Sequence, residues 1–309
     1  MKVFVAGATG TIGRQLVPQL VTAGHDVVGM TRRPAKAALL RELGAVPVVA
    51  DALDPEQVAA AVARAQPDVL VHQLTALAGV ALRDPQRGVA PTNRVRIEGT
   101  DHLLAAAEAA GVKRFVAQSI ATQAYARRGG PVKTEEDPLD PAPPRALREG
   151  ARGIRHVEKA VLGADWTDGI VLRYGGFYGP GTHLAPGGEL FEMVRRRRFP
   201  LIGGGHGIWS FIHVVDAASA TVAAVERGTR GVYNVVDDDP AEVAEWLPAL
   251  AQMLGAKPPL RVPALIARMV AGEAGVVTMT QGRGASNAKA KRELAWQPAY
   301  ASWRDGFAA

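Results

Sequence analysis

The chain of 309 residues contains no cysteine, so disulfides, thiolate metal sites and a cysteine nucleophile are all excluded. Aromatic residues make up only 6%, and no aromatic-studded basic stripe marks a nucleic-acid-binding face. No apolar run approaches the roughly 18 residues of a membrane span. The opening MKVFVAGATG turns glycine-rich too early for a signal peptide. A soluble protein is expected, in the cytoplasm, with neither membrane nor nucleic acid as partner. The net charge is +6, but the arginines are scattered over many segments, so the excess reads as composition and not as an anion-binding face.

What is present is alternation. KVFVAG (2–7) is a short apolar run, and Ile12, Leu16, Leu20 and Ala23 then recur at helical spacing. Strand-like segments follow at 25–30, 45–50, 68–74, 113–119, 169–175 and 231–237. Helical segments are expected at 34–43, 55–65, 95–110, 146–163 and 189–198. Continuous apolar strands between helices predict an α/β fold, a doubly wound parallel sheet covered on both faces. A Pro-, Gly- and charge-rich stretch at 127–145 reads as a surface loop. The tail holds three or four short helices.

The strongest chemical signal is Gly7-Ala8-Thr9-Gly10-Thr11-Ile12-Gly13, directly after the first strand and opening the first helix. Gly7 permits a tight turn, Gly10 lets backbone approach a pyrophosphate, and Gly13 brings helix close to strand. The free N–H groups of the helix start face the phosphates. The second strand ends Met30-Thr31-Arg32-Arg33, without the acid that would bond a ribose 2′-hydroxyl. Guanidinium forks suit a 2′-phosphate, so NADP(H) is expected over NAD(H).

Further motifs follow in order: Asp51-Ala52 after the third strand, Gly99-Thr100 in a long helix, and Arg173-Tyr174 through Tyr178-Gly179-Pro180-Gly181. Phe211-Ile212-His213-Val214 with Asp216, Tyr233-Asn234-Val235 and KRELAWQP (291–298) complete the series. Together they resemble the extended short-chain dehydrogenases of the epimerase/dehydratase type. The resemblance implies a Rossmann domain over 1–175, with 209–237 returning to it. It also implies a small mixed substrate lobe from 176–208 and 238–309. It sets Asp51 and Ala52 beside adenine, Leu74 and Thr75 near ribose and pyrophosphate, and Gln118, Ser119 and Tyr174 toward the nicotinamide. By analogy it implies a homodimer through helices 93–110 and 146–163.

The chain also departs from that family. The Tyr-x-x-x-Lys proton shuttle falls on Gly150 and Ile154, neither able to transfer a proton, and the Asn before Gly-Thr is Arg96. Ser119 or Thr122 retains a hydroxyl in the catalytic serine region. Tyr125 is the leading candidate proton donor and Tyr178 the second. Alternatively the substrate needs little acid help, or the protein senses a dinucleotide without turnover. Trp209-Ser210 stands where nucleotide-sugar enzymes carry an Arg-Asp pair, which favours an apolar or aromatic substrate. His72 and His213 read as structural, and His156 as a helix histidine worth testing. Arg195 to Arg198 reads as a solvated helix end, and Asp237-Asp238-Asp239-Pro240 as a turn capping the next helix; no metal site is expected. The expected activity is an NADP(H)-dependent oxidoreductase acting on a small carbonyl- or enone-like substrate. The alternatives are a nucleotide-sugar epimerase or dehydratase, and a non-catalytic NADP(H) sensor.

Overall fold

The computed structural model describes residues 1–77, 86–122 and 124–307. Seven parallel strands form the central sheet: β1 (Lys2–Ala6), β2 (Asp26–Thr31), β3 (Val46–Val49), β4 (Val69–His72), β5 (Arg114–Ile120), β6 (Asp168–Tyr174) and β7 (Gly231–Val235). Their order is β7-β6-β5-β4-β1-β2-β3. Val3 to Ala6 are fully buried, as a strand covered on both faces requires. The order reverses between β1 and β4, which opens a crevice at their carboxyl ends.

Helices α1 (Gly13–Thr22), α2 (Ala37–Glu42) and α3 (Pro55–Ala65) follow the first three strands. Asp54 accepts from the backbone N–H groups of Glu56 and Gln57, and Pro55 occupies the first helical turn. That cap fixes the start of α3 where the sequence placed it. The next helix is longer than its sequence signal. It begins as α4 (Gln86–Arg94), passes through a π-helical turn at Val95–Gly99, and continues as α5 (Thr100–Ala109). Pro91 lies inside α4 and interrupts the helical pattern, so periodicity alone detects only the part from Val95 onward.

Helices α6 (Arg148–Gly163), α3 and α5 cover one face of the sheet, with Val58, Leu103, Val157 and Val161 in the shared core. Helix α7 (Glu189–Arg195) belongs elsewhere, and α8 (Val214–Arg227) joins α1 on the opposite face. The tail is pinned to α8. Asp216 accepts from the backbone N–H groups of Ala299 and Tyr300, and Trp296 donates to Ser219.

A separate core gathers Tyr178, Phe191, Phe211, Trp246, Trp303 and Phe307, with α7 and α9 (Val243–Met253) around it. Short pairings stitch this region to the rest. Gly176–Tyr178 runs parallel to Phe211–His213, and Val132–Lys133 to Gly284–Ala285. The tail adds five helices where three or four were expected: Val243–Met253, Ala264–Val270, Gly272–Gln281, Ala288–Glu293 and Trp303–Gly306.

The arginine run disperses: Arg195 and Arg196 pair with Glu192, while Arg197 takes a left-handed backbone and donates to the Pro258 carbonyl. The aspartate run does not cap the next helix, whose N-cap is Glu242. Asp238 pairs with Lys291, Asp239 with Arg304, and Asp237 is buried. The expected turn is present, with Asp237 Oδ1 accepting from the Asp239 N–H at 3.3 Å, but the other two carboxylates go to tail residues more than fifty positions away and cap no helix.

Candidate active site

The crevice begins at the glycine turn. Gly7 has φ +93°, and a Cβ there would lie 2.7 Å from the Gln73 carbonyl oxygen at the end of β4. A Cβ on Gly13 would lie 2.4 Å from the Gly7 carbonyl oxygen. Both positions therefore exclude larger residues, and the two loops close on each other at the switch point. Helix α1 has no side-chain cap and no acid in its first turn, so its amino end keeps free N–H groups and a positive field. Thr9 and Thr11 sit on the same turn; the Thr9 carbonyl accepts from Arg14, and Thr11 bonds the Gly181 carbonyl. Ile12 is buried at the helix start.

Arg32 and Arg33 are exposed just past β2. They do not stand alone. Burial and the charges of Arg14, Arg33 and Arg32 lower the Lys36 ammonium from its usual value, which places four cations around one spot. Arg14 and Lys36 went unread in the sequence, although one follows Gly13 directly and the other lies a helical turn past Arg32. The turn and this basic cluster fit a dinucleotide phosphate chain with an added phosphate.

Asp51 is half-buried and uses Oδ1 to accept from the Leu53 N–H; the Ala52 carbonyl bonds His102. Leu74 and Thr75 are half-buried just beyond β4. His72 is buried behind them. Its Nδ1 accepts from the Leu74 N–H, so Nε2 carries the proton and donates to Thr100 Oγ1 at 3.0 Å. Burial, helped by the Arg96 charge, pushes its pKa down to about 4. It is a neutral structural histidine.

Most of the candidate hydroxyls are committed to buried bonds. Ser119 donates to Glu158 Oε1 at 2.7 Å. Arg173 donates to both oxygens of Glu158 (2.8 and 2.7 Å) and to the Tyr125 hydroxyl (3.0 Å). Tyr125 donates in turn to Asn234 Oδ1 at 2.5 Å. Burial raises the Tyr125 pKa further. Tyr174 faces the α8 layer, bonded to Thr221 and Gln73, with its pKa pushed up to about 12 by burial. Tyr178 lies in the lobe core against His213 and Phe307. Thr122 and Gln118 are half-buried and have no side-chain hydrogen-bond partner among the described residues. His213 caps α8 through Nδ1, and His156 pairs with Asp101 on the surface. Trp209 donates to the Thr278 carbonyl and packs on Trp246, so it builds the lobe wall.

Beyond the end of β5 lies a cavity of about 120 Å³. Its walls are largely apolar: Val89, Ile120, Leu139, Leu147 and Ile154, with Gly150 beside them. Arg96, on the π-helical turn, reaches into it. A Cβ built on Gly150 meets nothing within 4 Å, so the space is what a larger side chain there would occupy.

The model of the NAD dependent epimerase/dehydratase family matches residues 3–236. The chain belongs to that family. It is an NAD(P)-dependent enzyme of the oxidoreductase/epimerase type. A Streptomyces protein described as 3-diazoavenalumate denitrifying reductase is 47% identical over 308 residues, 99% of each chain. A Stigmatella aurantiaca 4-hydroxy-2-methyl-3-oxo-4-farnesyl-3,4-dihydroquinoline-1-oxide ketoreductase is 30% identical over 262 residues, 83% of this chain and 74% of that protein. Among solved structures, the UDP-glucose 4-epimerase of Thermotoga maritima superposes with a TM-score of 0.78 at 22% identity, over 100% of this chain and 96% of that one. At that identity the likeness establishes the fold. Within the described residues, no helix is long and apolar enough to cross a membrane.

Gly150 and Ile154, read from the sequence as standing at the Tyr and Lys positions, line the cavity with Arg96 alongside. Sequence reading noted each as a loss. It could not register that the three share one cavity, because the walls come from α4, β5, the 139–147 segment and α6.

Proposed function

We propose that the chain is an NADP(H)-dependent reductase whose substrate accepts hydride without taking a proton from the protein. The observation carrying this reading is the cavity: Gly150 and Ile154, which the sequence resemblance sets at the Tyr and Lys positions, line it, and neither side chain can exchange a proton. The hydroxyls of Ser119, Tyr125 and Tyr174 are bonded elsewhere. Gly7 to Gly13 would hold the pyrophosphate, Asp51 and Ala52 the adenine side, Leu74 and Thr75 the ribose, and Arg14, Arg32, Arg33 and Lys36 a 2′-phosphate. Bound there, the nicotinamide supplies hydride. Residues 176–208 and 238–309 form the substrate lobe, except that Ala290, Leu294 and Trp296 pack in the sheet-side core with α8; 308 and 309 lie outside the described residues.

A diazonium acceptor suits such a site. It takes one hydride, its C–N bond breaks, dinitrogen leaves, and no net proton is required. The name of the Streptomyces relative describes a denitrifying reduction of a diazo compound, and its identity spans the whole chain. A carbonyl, by contrast, ends as an alkoxide that calls for an acid. The apolar walls also suit a flat organic substrate better than a sugar nucleotide.

The test is nicotinamide absorbance with NADPH and 3-diazoavenalumate, run beside aldehydes, ketones and enones. Consumption of NADPH with release of dinitrogen is expected for the diazo acid alone. Turnover of simple ketones with the diazo acid inert would sink the reading.

A further inference from the structure

The π-helical turn at Val95–Gly99 carries a guanidinium, that of Arg96. Arg96 is largely withdrawn from solvent and lines the 120 Å³ cavity, yet it makes no hydrogen bond or ion pair among the described residues. Burying an ionised group without a partner is costly. Burial lowers the Arg96 pKa to about 10, and its charge is felt by His72. Local π turns of this kind occur often at functional sites.

The other polar groups on the cavity are already engaged. Asp140 forms an ion pair with Arg127 at 3.0 Å, and its Oδ1 accepts from the Ala142 N–H. Arg155 donates to the Asp140 main-chain carbonyl. Arg155 has no carboxylate partner either, so two guanidiniums line the cavity, of which Arg96 alone makes no bond among the described residues; Val89, Ile120, Leu139, Leu147 and Ile154 form the apolar walls. A cavity near 150 Å³ with such a lining holds about one six-membered ring, so this space accepts a flat unsaturated body. A second, much smaller cavity shares Asp140 and Leu147 in its lining and also touches Val277 and Thr278.

We propose that this cavity seats a small, flat organic carboxylate and that Arg96 recognises its anionic end. The planar fork of Arg96 matches a carboxylate. The inference rests on the reductase reading, because it places the substrate of that reaction, but it is tested by binding and does not depend on turnover.

The experiment is calorimetric titration of NADP⁺-saturated protein with 4-hydroxycinnamate and with its methyl ester, on wild type, Arg96→Met and Arg96→Lys. The carboxylate is expected to bind wild type about tenfold or more tightly than the ester. Arg96→Met should bind both equally and weakly, Arg96→Lys should keep part of the preference, and NADPH affinity should be unchanged in both. Melting should not fall in either variant, since Arg96 has no hydrogen-bond or ion-pair partner among the described residues. Equal binding of acid and ester by wild type, or binding of neither, overturns the proposal. Loss of NADPH affinity in Arg96→Met overturns it too, by assigning the residue to the cofactor. If the binding pattern holds while 3-diazoavenalumate is not reduced, the anion site stands and the reductase reading falls.

Discussion

At the scale of single residues, the proposed preference for NADP(H) rests on Arg14, Arg32, Arg33 and Lys36. Their mutual repulsion is visible in the lowered Lys36 pKa, and a bound phosphate would relieve it. Replacing Arg32 and Arg33 together by Ala is expected to weaken NADPH binding by about ten- to hundredfold and leave NADH binding nearly unchanged, by calorimetric titration. Equal losses for both dinucleotides would remove the 2′-phosphate argument. Tyr125 illustrates the opposite case. Its place after β5 was legible, but its bonding was not, because Arg173 and Asn234 lie 48 and 109 residues away. Tyr125→Phe would leave Arg173 Nη1 and Asn234 Oδ1 each short of a partner in a buried network. A stability loss of about 1–3 kcal/mol is expected, read by urea unfolding, with kcat per folded molecule retained. A collapse of kcat at unchanged stability would restore Tyr125 as proton donor.

At the scale of elements, the ones that were legible have local causes. Asp54 and Pro55 announce α3, and the glycine turn announces α1. Helix α4 was hidden because Pro91 breaks the pattern from which a helix is read. The cavity beside Arg96 was hidden because α6 contributes to it by what it lacks. Gly150 lies in the first turn of α6, with open space where a Cβ would stand. Replacing glycine within a helix generally stabilises it, by up to about 1 kcal/mol. Gly150→Tyr is therefore expected to melt no lower than wild type while its ring fills the cavity. The KM for the substrate should rise by about tenfold or more, with NADPH affinity unchanged. An unaltered KM in a well-folded variant would mean that substrate binds elsewhere.

At the scale of the whole molecule, the parallel sheet follows from alternation and the glycine turn, whereas the strand order and the seam between sheet and lobe depend on tertiary structure. Asp237 sits on that seam. Its N–H donates to the Phe211 carbonyl, and its Oδ2 is buried with no hydrogen-bond partner among the described residues, as is the hydroxyl of Tyr178. Burial pushes the Asp237 pKa up to about 8 from an unfolded value of 3.8. Between those values the folded protein holds a proton that the unfolded chain has released, so this contribution to stability falls as pH rises. His72 acts in the other direction. Its folded pKa of about 4 lies below the unfolded 6.5, so stability rises with pH until about 6.5 and is then constant. The two slopes oppose each other below pH 6.5, and above it only the Asp237 loss remains. Unfolding free energy is therefore expected to fall by about 2 kcal/mol between pH 6.5 and 8, at up to 1.4 kcal/mol per unit. Asp237→Asn removes the titrating group and should abolish that fall, making the variant the more stable protein at pH 8. Urea unfolding of both proteins at the two pH values measures the difference. A gap between them that does not change with pH would show that Asp237 is ionised in the folded molecule and that the seam tolerates its charge.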